Sequence, residues 1–349
     1  MRPFQALFLM FILTPIIAAS QPATMRYGHY RVAVYASKKD SLDHLQLQSR
    51  LDDALQTKSL SPATIDSLTE LIQSIWKRTR FKTIYGPDRD YTLSDSLEHL
   101  DNFTGITKVS VYKKTALPQA LWKCKNLEVL ELVNTSIDEL PEALNDLPRL
   151  KRIYIYNNNG KKRLRLAKNN TVTSLTILNE RPQLLPRSFR NFSALTRLEL
   201  AENDLTKFPN GARHNKHLTE LSLQRNKITL KGRIKAHRYL ERLALHNNEI
   251  EEVPPSIRRF RNLKKLNFNS NRISRVSPAI GKLVRLEQLS FYNNRLTSIP
   301  AGAYRLPALH EIDLFHNEIE SIGPGFTAWT RLHTLYISHN KLTTLPENI

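Results

Sequence analysis

One frame recurs through most of this chain and decides what it can fold into. Residues 240–250 read Leu-Glu-Arg-Leu-Ala-Leu-His-Asn-Asn-Glu-Ile, residues 286–296 read Leu-Glu-Gln-Leu-Ser-Phe-Tyr-Asn-Asn-Arg-Leu, and residues 332–342 read Leu-His-Thr-Leu-Tyr-Ile-Ser-His-Asn-Lys-Leu. The shared pattern is L-x-x-L-x-L-x-x-N-x-L. It starts at Leu127, Leu150, Val172, Leu195, Leu218, Leu240, Leu263, Leu286, Leu309 and Leu332, at intervals of 22 or 23 residues. A degenerate copy begins at Ile106, with Val109 and Val111, and brings the count to eleven. Self-similarity at such a period marks a solenoid, in which each unit buries the apolar face of the next.

The spacing predicts the geometry of each unit. Positions 4 and 6 of the frame point the same way from a short strand and enter the core, while positions 5, 7 and 8 face outward. Stacked strands then form one parallel sheet along a concave side. The Asn at position 9 turns the chain inward, and its amide can satisfy backbone groups that no sheet partner reaches. Asn203, Asn226, Asn248, Asn271, Asn294, Asn317 and Asn340 form this ladder, joined by Asn158, and Thr135 and Glu180 replace it in two early repeats.

The second half of each unit carries Leu-Pro-x-x-Ile/Leu, as in Leu140-Pro141-Glu-Ala-Leu144 and Val253-Pro254-Pro-Ser-Ile257. With the strand frame, this resembles the 23-residue Leu-Pro class of leucine-rich repeats. That class occurs in the Ras-pathway scaffold, Erbin and Scribble proteins, in plant intracellular Ras-group repeats and in many bacterial repeat proteins. The resemblance covers residues 106–349. It implies an α/β fold, a right-handed leucine-rich-repeat solenoid with a curved concave parallel sheet and a short helical or irregular convex side. It also implies a protein-interaction module and names no partner. Residues 159–169 and 229–239 lack the Pro pattern.

The N-terminal part has a different character. A positive Arg2, an apolar run from Ala6 to Ala19 and small residues at Ala18 and Ser20 predict a secretory signal peptide over residues 1–20. Residues 27–36 alternate like a short strand, residues 41–57 place Leu47, Leu51 and Leu55 on one helical face, and Ser61-Pro62 opens a helix expected to end near Arg80. A further short helix is expected at 93–100. Residues 21–105 are therefore expected to form a mainly helical cap on the first repeat, which would otherwise expose its core.

Charge is unevenly placed. The chain carries a net +20. Residues 21–105 hold 11 basic and 11 acidic side chains, so the surplus lies in the repeats. Residues 150–171 carry 7 basic and no acidic groups, whereas residues 127–149 carry 1 and 6. Lys161, Lys162, Arg163, Arg165 and Lys168 form one candidate basic patch, and Lys231, Arg233 and Lys235 extend it in a later repeat. Such stripes attract anionic polymers or surfaces.

Candidate contacts with a partner come from the outward positions of the strand frame. They are Tyr154, Tyr156, Arg225, His246, Tyr292, Phe315, His316, Tyr336 and His339. Aromatic side chains on a rigid sheet are the usual anchors of a binding surface. The densest group is Tyr292, Phe315, His316, Tyr336 and His339. His316 and His339 lie one repeat apart, about 5 Å by strand spacing, but no third ligand converges on them, so no metal is expected.

Catalysis finds no footing in the sequence. There is no phosphate loop, no G-x-S-x-G and no H-E-x-x-H, and no cofactor motif. The single cysteine, Cys124, rules out an internal disulfide and reads as a structural thiol. The leading expectation is a non-catalytic scaffold or recognition protein that binds another protein on its concave face. The alternative is binding of an anionic glycan, envelope polymer or membrane surface through the basic stripes. Nucleic acid is disfavoured by the export signal. A signal peptide without disulfides suits a bacterial periplasm, envelope or secreted setting, and a false signal would make the protein a cytoplasmic scaffold. Self-association through the edge of the last repeat is a further expectation.

Overall fold

A computed structural model describes residues 29–34, isolated positions between 46 and 71, residues 80–85, 91–232, 234–235 and 237–344. The predicted signal peptide and Arg233 lie outside these residues, as do Glu347, Asn348 and Ile349. The chain divides into two compact units, Met1–Arg89 and Asp90–Ile349.

In the first unit, His29–Val34 pairs antiparallel with Arg80–Tyr85, His29 opposite Tyr85 and Val34 opposite Arg80. The alternation noted at 27–36 is thus a strand. Leu47 and Leu68 are helical, inside the two expected helices. Arg80, expected as a helix end, instead opens a strand. The described part of this unit is therefore mixed and not only helical.

The second unit is built on one twelve-stranded parallel sheet. Its strands, in spatial and chain order, are Thr92–Leu93, Lys108–Tyr112, Val129–Val133, Arg152–Tyr156, Ser174–Leu178 and Arg197–Glu199. Glu220–Ser222, Arg242–Ala244, Lys265–Asn267, Gln288–Ser290, Glu311–Asp313 and Thr334–Tyr336 complete it. Eleven of these are the strands of the eleven repeats. The register is that of the frame: Leu198 lies beside Leu221, Leu221 beside Leu243, Leu243 beside Leu266, Leu266 beside Leu289 and Leu289 beside Ile312. All six are buried.

The twelfth strand, Thr92–Leu93, precedes the first repeat read from the sequence and pairs with Val109 and Ser110. A 3-10 helix, Ser94–His99, follows it where a short helix was expected, and buries Leu97. Residues 91–105 therefore belong with the solenoid, and the division of the chain falls N-terminal to the expected boundary at 105/106. Two residues of strand without the leucine frame leave no periodic signal, which is why this turn escaped the sequence reading.

The convex side consists of short 3-10 helices. Pro255–Arg259, Pro278–Lys282, Ala303–Arg305 and Pro324–Ala328 stack in successive repeats, with Ile257, Ile280 and Ala303 buried beneath them. Proline at the first position supplies the helical φ where no amide donor is needed. Among the described residues, the two repeats that lack the Pro pattern have no such helix at 159–169 or 229–239. In the first, Arg165–Leu166 instead pairs with Glu139–Leu140.

Asparagine amides tie the units together. The Asn226 Nδ2 donates to the carbonyls of Leu200 (2.8 Å) and Leu223 (2.9 Å), and its Oδ1 accepts from the Asn203 and Leu205 amides at 3.0 Å each. Asn248, Asn271, Asn294, Asn317 and Asn340 make the same reach to the preceding repeat. In the early repeats Thr135 donates its hydroxyl to Asn158 Oδ1 at 2.8 Å. Glu180 fills its slot as a buried carboxyl, and desolvation pushes its pKa above the usual carboxylate range.

Candidate binding surface

Position 8 of every repeat has a left-handed backbone. Lys113, Asn134, Asn157, Asn179, Glu202, Arg225, Asn247, Ser270, Asn293, His316 and His339 have φ between 51° and 58°. This conformation turns the chain off the sheet edge ahead of the ladder asparagine. Asn is the residue that tolerates it best among those with a side chain, and five of the eleven are Asn. The preference for Asn in that column is the sequence signal of this turn.

The middle of the concave face is polar and internally compensated. A cleft of ≈ 490 Å³ runs from Arg197 to Asp313. Within it Glu220 pairs with both Arg197 (3.5 Å) and Arg242. Gln224 donates to Glu199 at 2.9 Å, Gln288 to Glu311 at 2.8 Å and Ser290 to Asp313 at 3.0 Å.

The C-terminal end of the same face is aromatic. Tyr292 and Phe315 are half-buried and stack at 5.6 Å, 12° from parallel. The exposed His316 stands edge-on to Phe315 at 4.6 Å and to Tyr292 at 5.9 Å. His339 packs on Phe315 at 4.4 Å and on His316 at 4.5 Å. These four rings form one contiguous surface, and stacked and edge-on contacts hold them in place. Tyr336 is 51% exposed on the neighbouring column. Among the described residues, no group of three His, Cys, Asp or Glu side chains is arranged to hold a metal ion.

The remaining sequence candidates fall elsewhere. Tyr154 is half-buried and stacks on Tyr156 at 6.0 Å. Tyr156 itself is buried, and desolvation pushes its hydroxyl pKa far above the ordinary range. It lies in register between Val133 and Leu178, so it serves packing and is not an exposed anchor. Arg225 is exposed and pairs with Glu202 at 2.8 Å. His246 is half-buried, with its pKa lowered by desolvation and by Arg225. These residues do not gather with the C-terminal rings.

The expected basic patch is partly neutralised. Arg165 pairs with Glu139, and Lys231 with Glu251 at 3.5 Å. Arg163 donates to the Leu185 carbonyl, and the Lys162 amide to Asp138. Lys161 and Lys168 are exposed, and Lys235 is half-buried. Cys124 is fully buried, its thiol pKa raised by desolvation.

A parallel sheet stacked one strand per repeat, with short 3-10 helices behind it, defines a repeat solenoid. Comparison with known proteins makes the family explicit. Residues 238–296 and 261–319 match the family described as "Leucine rich repeat", residues 307–349 match "Leucine Rich repeats (2 copies)", and residues 214–235 match a further "Leucine Rich repeat" family. By these matches, residues 214–235 and 238–349 carry leucine-rich repeats. It is similar to Podocan-like protein 1 of Mus musculus, 32% identical over 178 residues, which are 47% of this chain and 30% of that protein. The chain thus matches less than a third of that relative's length. It also resembles a chain of the Toll–Spatzle complex of Drosophila in its glycosylated form. There the TM-score is 0.54 at 23% identity, covering 72% of this chain and 39% of that one. A second structure of that complex gives 0.50 at 19% identity, covering 71% and 41%. At these identities the structures establish the fold alone.

Proposed function

We propose that this chain is a non-catalytic recognition module that binds a protein partner with the C-terminal end of its concave face. The observation that carries the reading is the cluster of Tyr292, Phe315, His316 and His339, four touching rings of which two are exposed. In the middle of the concave floor, Glu220, Gln224, Gln288 and Ser290 are paired within the floor itself. Aromatic anchors beside a compensated polar surface have the layout of an interface hot spot with its rim. A repeat chain of this fold occurs in the Toll–Spatzle complex, which supports a protein as the kind of partner. Export through the N-terminal signal belongs to the same proposal.

Capture from extract of the source cells tests it, with wild type, Tyr292→Ala/Phe315→Ala and Lys264→Gln as baits. A protein retained by wild type and Lys264→Gln and lost from the aromatic double variant supports the assignment. A partner retained equally by all three overturns it, provided the double variant keeps the wild-type circular dichroism spectrum.

A further inference from the structure

From residue 186 onward, the structure sets the convex stretches of the repeats apart from the rest of the solenoid in charge. On the strand half, cations pair with acids one repeat away: Arg275 with Glu252 at 2.9 Å, Lys264 with Glu241 at 3.1 Å, Lys341 with Glu318 at 2.8 Å. Seven convex stretches from residue 186 onward have no such partners among the described residues. The seven stretches 186–194, 209–217, 234–239, 254–262, 277–285, 300–308 and 323–331 hold thirteen Lys and Arg residues and no Asp or Glu. Among the described residues, none of these thirteen is in an ion pair. Arg213, Arg258 with Arg259, Lys282 and Arg305 sit in the last turns of their 3-10 helices, which have no acid in the first turn. Because the repeats stack, these cations form a row.

Arg213, Lys235 and Arg238 also converge on one cleft of ≈ 380 Å³, lined as well by His214 and Tyr239. It lies at the second repeat that departs from the Pro pattern. Beside it, His237 is buried with its Nε2 lacking a hydrogen-bond partner. Desolvation first, then the positive field of Arg213 and His214, hold its pKa at about 4. The local surplus of positive charge thus acts on a neighbouring buried group.

We infer that this cationic row, centred on the Arg213–Lys235–Arg238 cleft, binds a linear anionic polysaccharide bearing sulfate or carboxylate groups. Guanidinium groups match both anions with paired hydrogen bonds. The row extends over seven repeats, about 30 Å or more at the strand spacing of roughly 5 Å, with only one to three cations across each repeat. That shape fits a chain better than a plane. Tyr239, 46% exposed, is the one strongly exposed aromatic along it among the described residues, so it offers no series of stacking platforms for the bases of single-stranded nucleic acid. The site is separate from the concave aromatic surface and stands or falls independently of it.

Binding of the full-length protein to dextran sulfate tests the assignment, with uncharged dextran, an oligothymidylate of matched charge and phosphatidylglycerol vesicles alongside. Two quadruple variants remove the same charge. One is Arg213→Gln/Arg238→Gln/Arg258→Gln/Lys282→Gln; the other is Arg165→Gln/Lys264→Gln/Arg275→Gln/Lys341→Gln, four cations held in ion pairs. The row variant should bind dextran sulfate at least tenfold more weakly. Its slope of log affinity against log salt should be shallower by roughly three contacts, as expected when counterions are no longer released. The ion-paired variant should stay within about threefold of wild type. Equal loss in both variants would overturn the proposal, as would tighter binding to the oligothymidylate or the vesicles than to dextran sulfate. The single variants Arg258→Gln and Lys282→Gln alter exposed side chains and should each give a smaller loss in the same direction. No loss in either, with both folded, is the same refutation.

Discussion

The side-chain amide of Asn226 donates to the carbonyl of Leu200, one repeat earlier, at 2.8 Å. Through the same side chain, the amides of Asn203 and Leu205 find their acceptor. One buried side chain therefore satisfies backbone groups of two consecutive units. Asn226→Ala strands buried donors and acceptors that cannot reach water, each costing about 1–3 kcal/mol. The expected result is a loss of about 2–4 kcal/mol, read as a lower midpoint in urea denaturation. A change below about 0.5 kcal/mol would contradict the ladder's role.

Asn247 sits at φ 55° one position before the ladder asparagine Asn248. A β-branched side chain is disfavoured in that left-handed well. Asn247→Val should cost about 1–2 kcal/mol although Asn247 is exposed, whereas Asn247→Gly should be close to neutral. Thermal unfolding of the two variants side by side separates backbone strain from lost contacts.

His237 gives the fold an acid-sensitive point. Its pKa falls from an ordinary 6.5 to about 4 in the folded chain, so the unfolded chain binds the proton first as pH drops. Stability is therefore full above pH 6.5 and is lost as pH falls from there towards 4. The loss attributable to this group is about 3 kcal/mol. His237 packs between Phe208 (5.3 Å) and Phe260 (5.9 Å), and His237→Leu keeps that apolar contact. This variant should flatten the pH dependence of the denaturation midpoint between pH 6.5 and 4. An unchanged pH profile would place the acid sensitivity elsewhere.

Glu180 behaves in the opposite sense. Its folded pKa is raised by burial, so the folded chain holds the proton more tightly than the unfolded one. Stability from this group is greatest at low pH and falls as pH rises from the ordinary carboxylate range through the raised value. Glu180→Gln should stabilise the protein at pH 7 and have little effect below pH 4. A lower melting temperature at pH 7 would show that the carboxylate makes contacts worth more than its desolvation.

Gly302 probes how closely the convex helices stack. A β-carbon there would lie 2.7 Å from both the Pro278 carbonyl and the Ile280 side chain. Gly302→Ala should lower the melting temperature by several degrees, because backbone of the neighbouring repeat cannot yield. Gly105, with nothing within 4 Å of the corresponding position, is the control site at which Ala should be tolerated.

The sequence by itself determined the strand register, the buried leucines and the asparagine ladder, because a strict period forces residues one repeat apart into contact about 5 Å away. The ion pairs of the strand half were legible in the same way, as acids and bases one period apart, such as Glu252 and Arg275. Only the tertiary structure decided the rest. It assigned the short strand Thr92–Leu93 to the sheet, since two residues of pairing carry no periodicity. It buried Tyr156 and left Tyr336 exposed, though both occupy outward positions of the frame. It also showed that neutralisation is local: Arg165 and Lys231 find acids, whereas Arg213 and Arg238 face none. Net charge is a property of the chain, but a binding surface depends on which charges the stacking leaves unpaired on the same side.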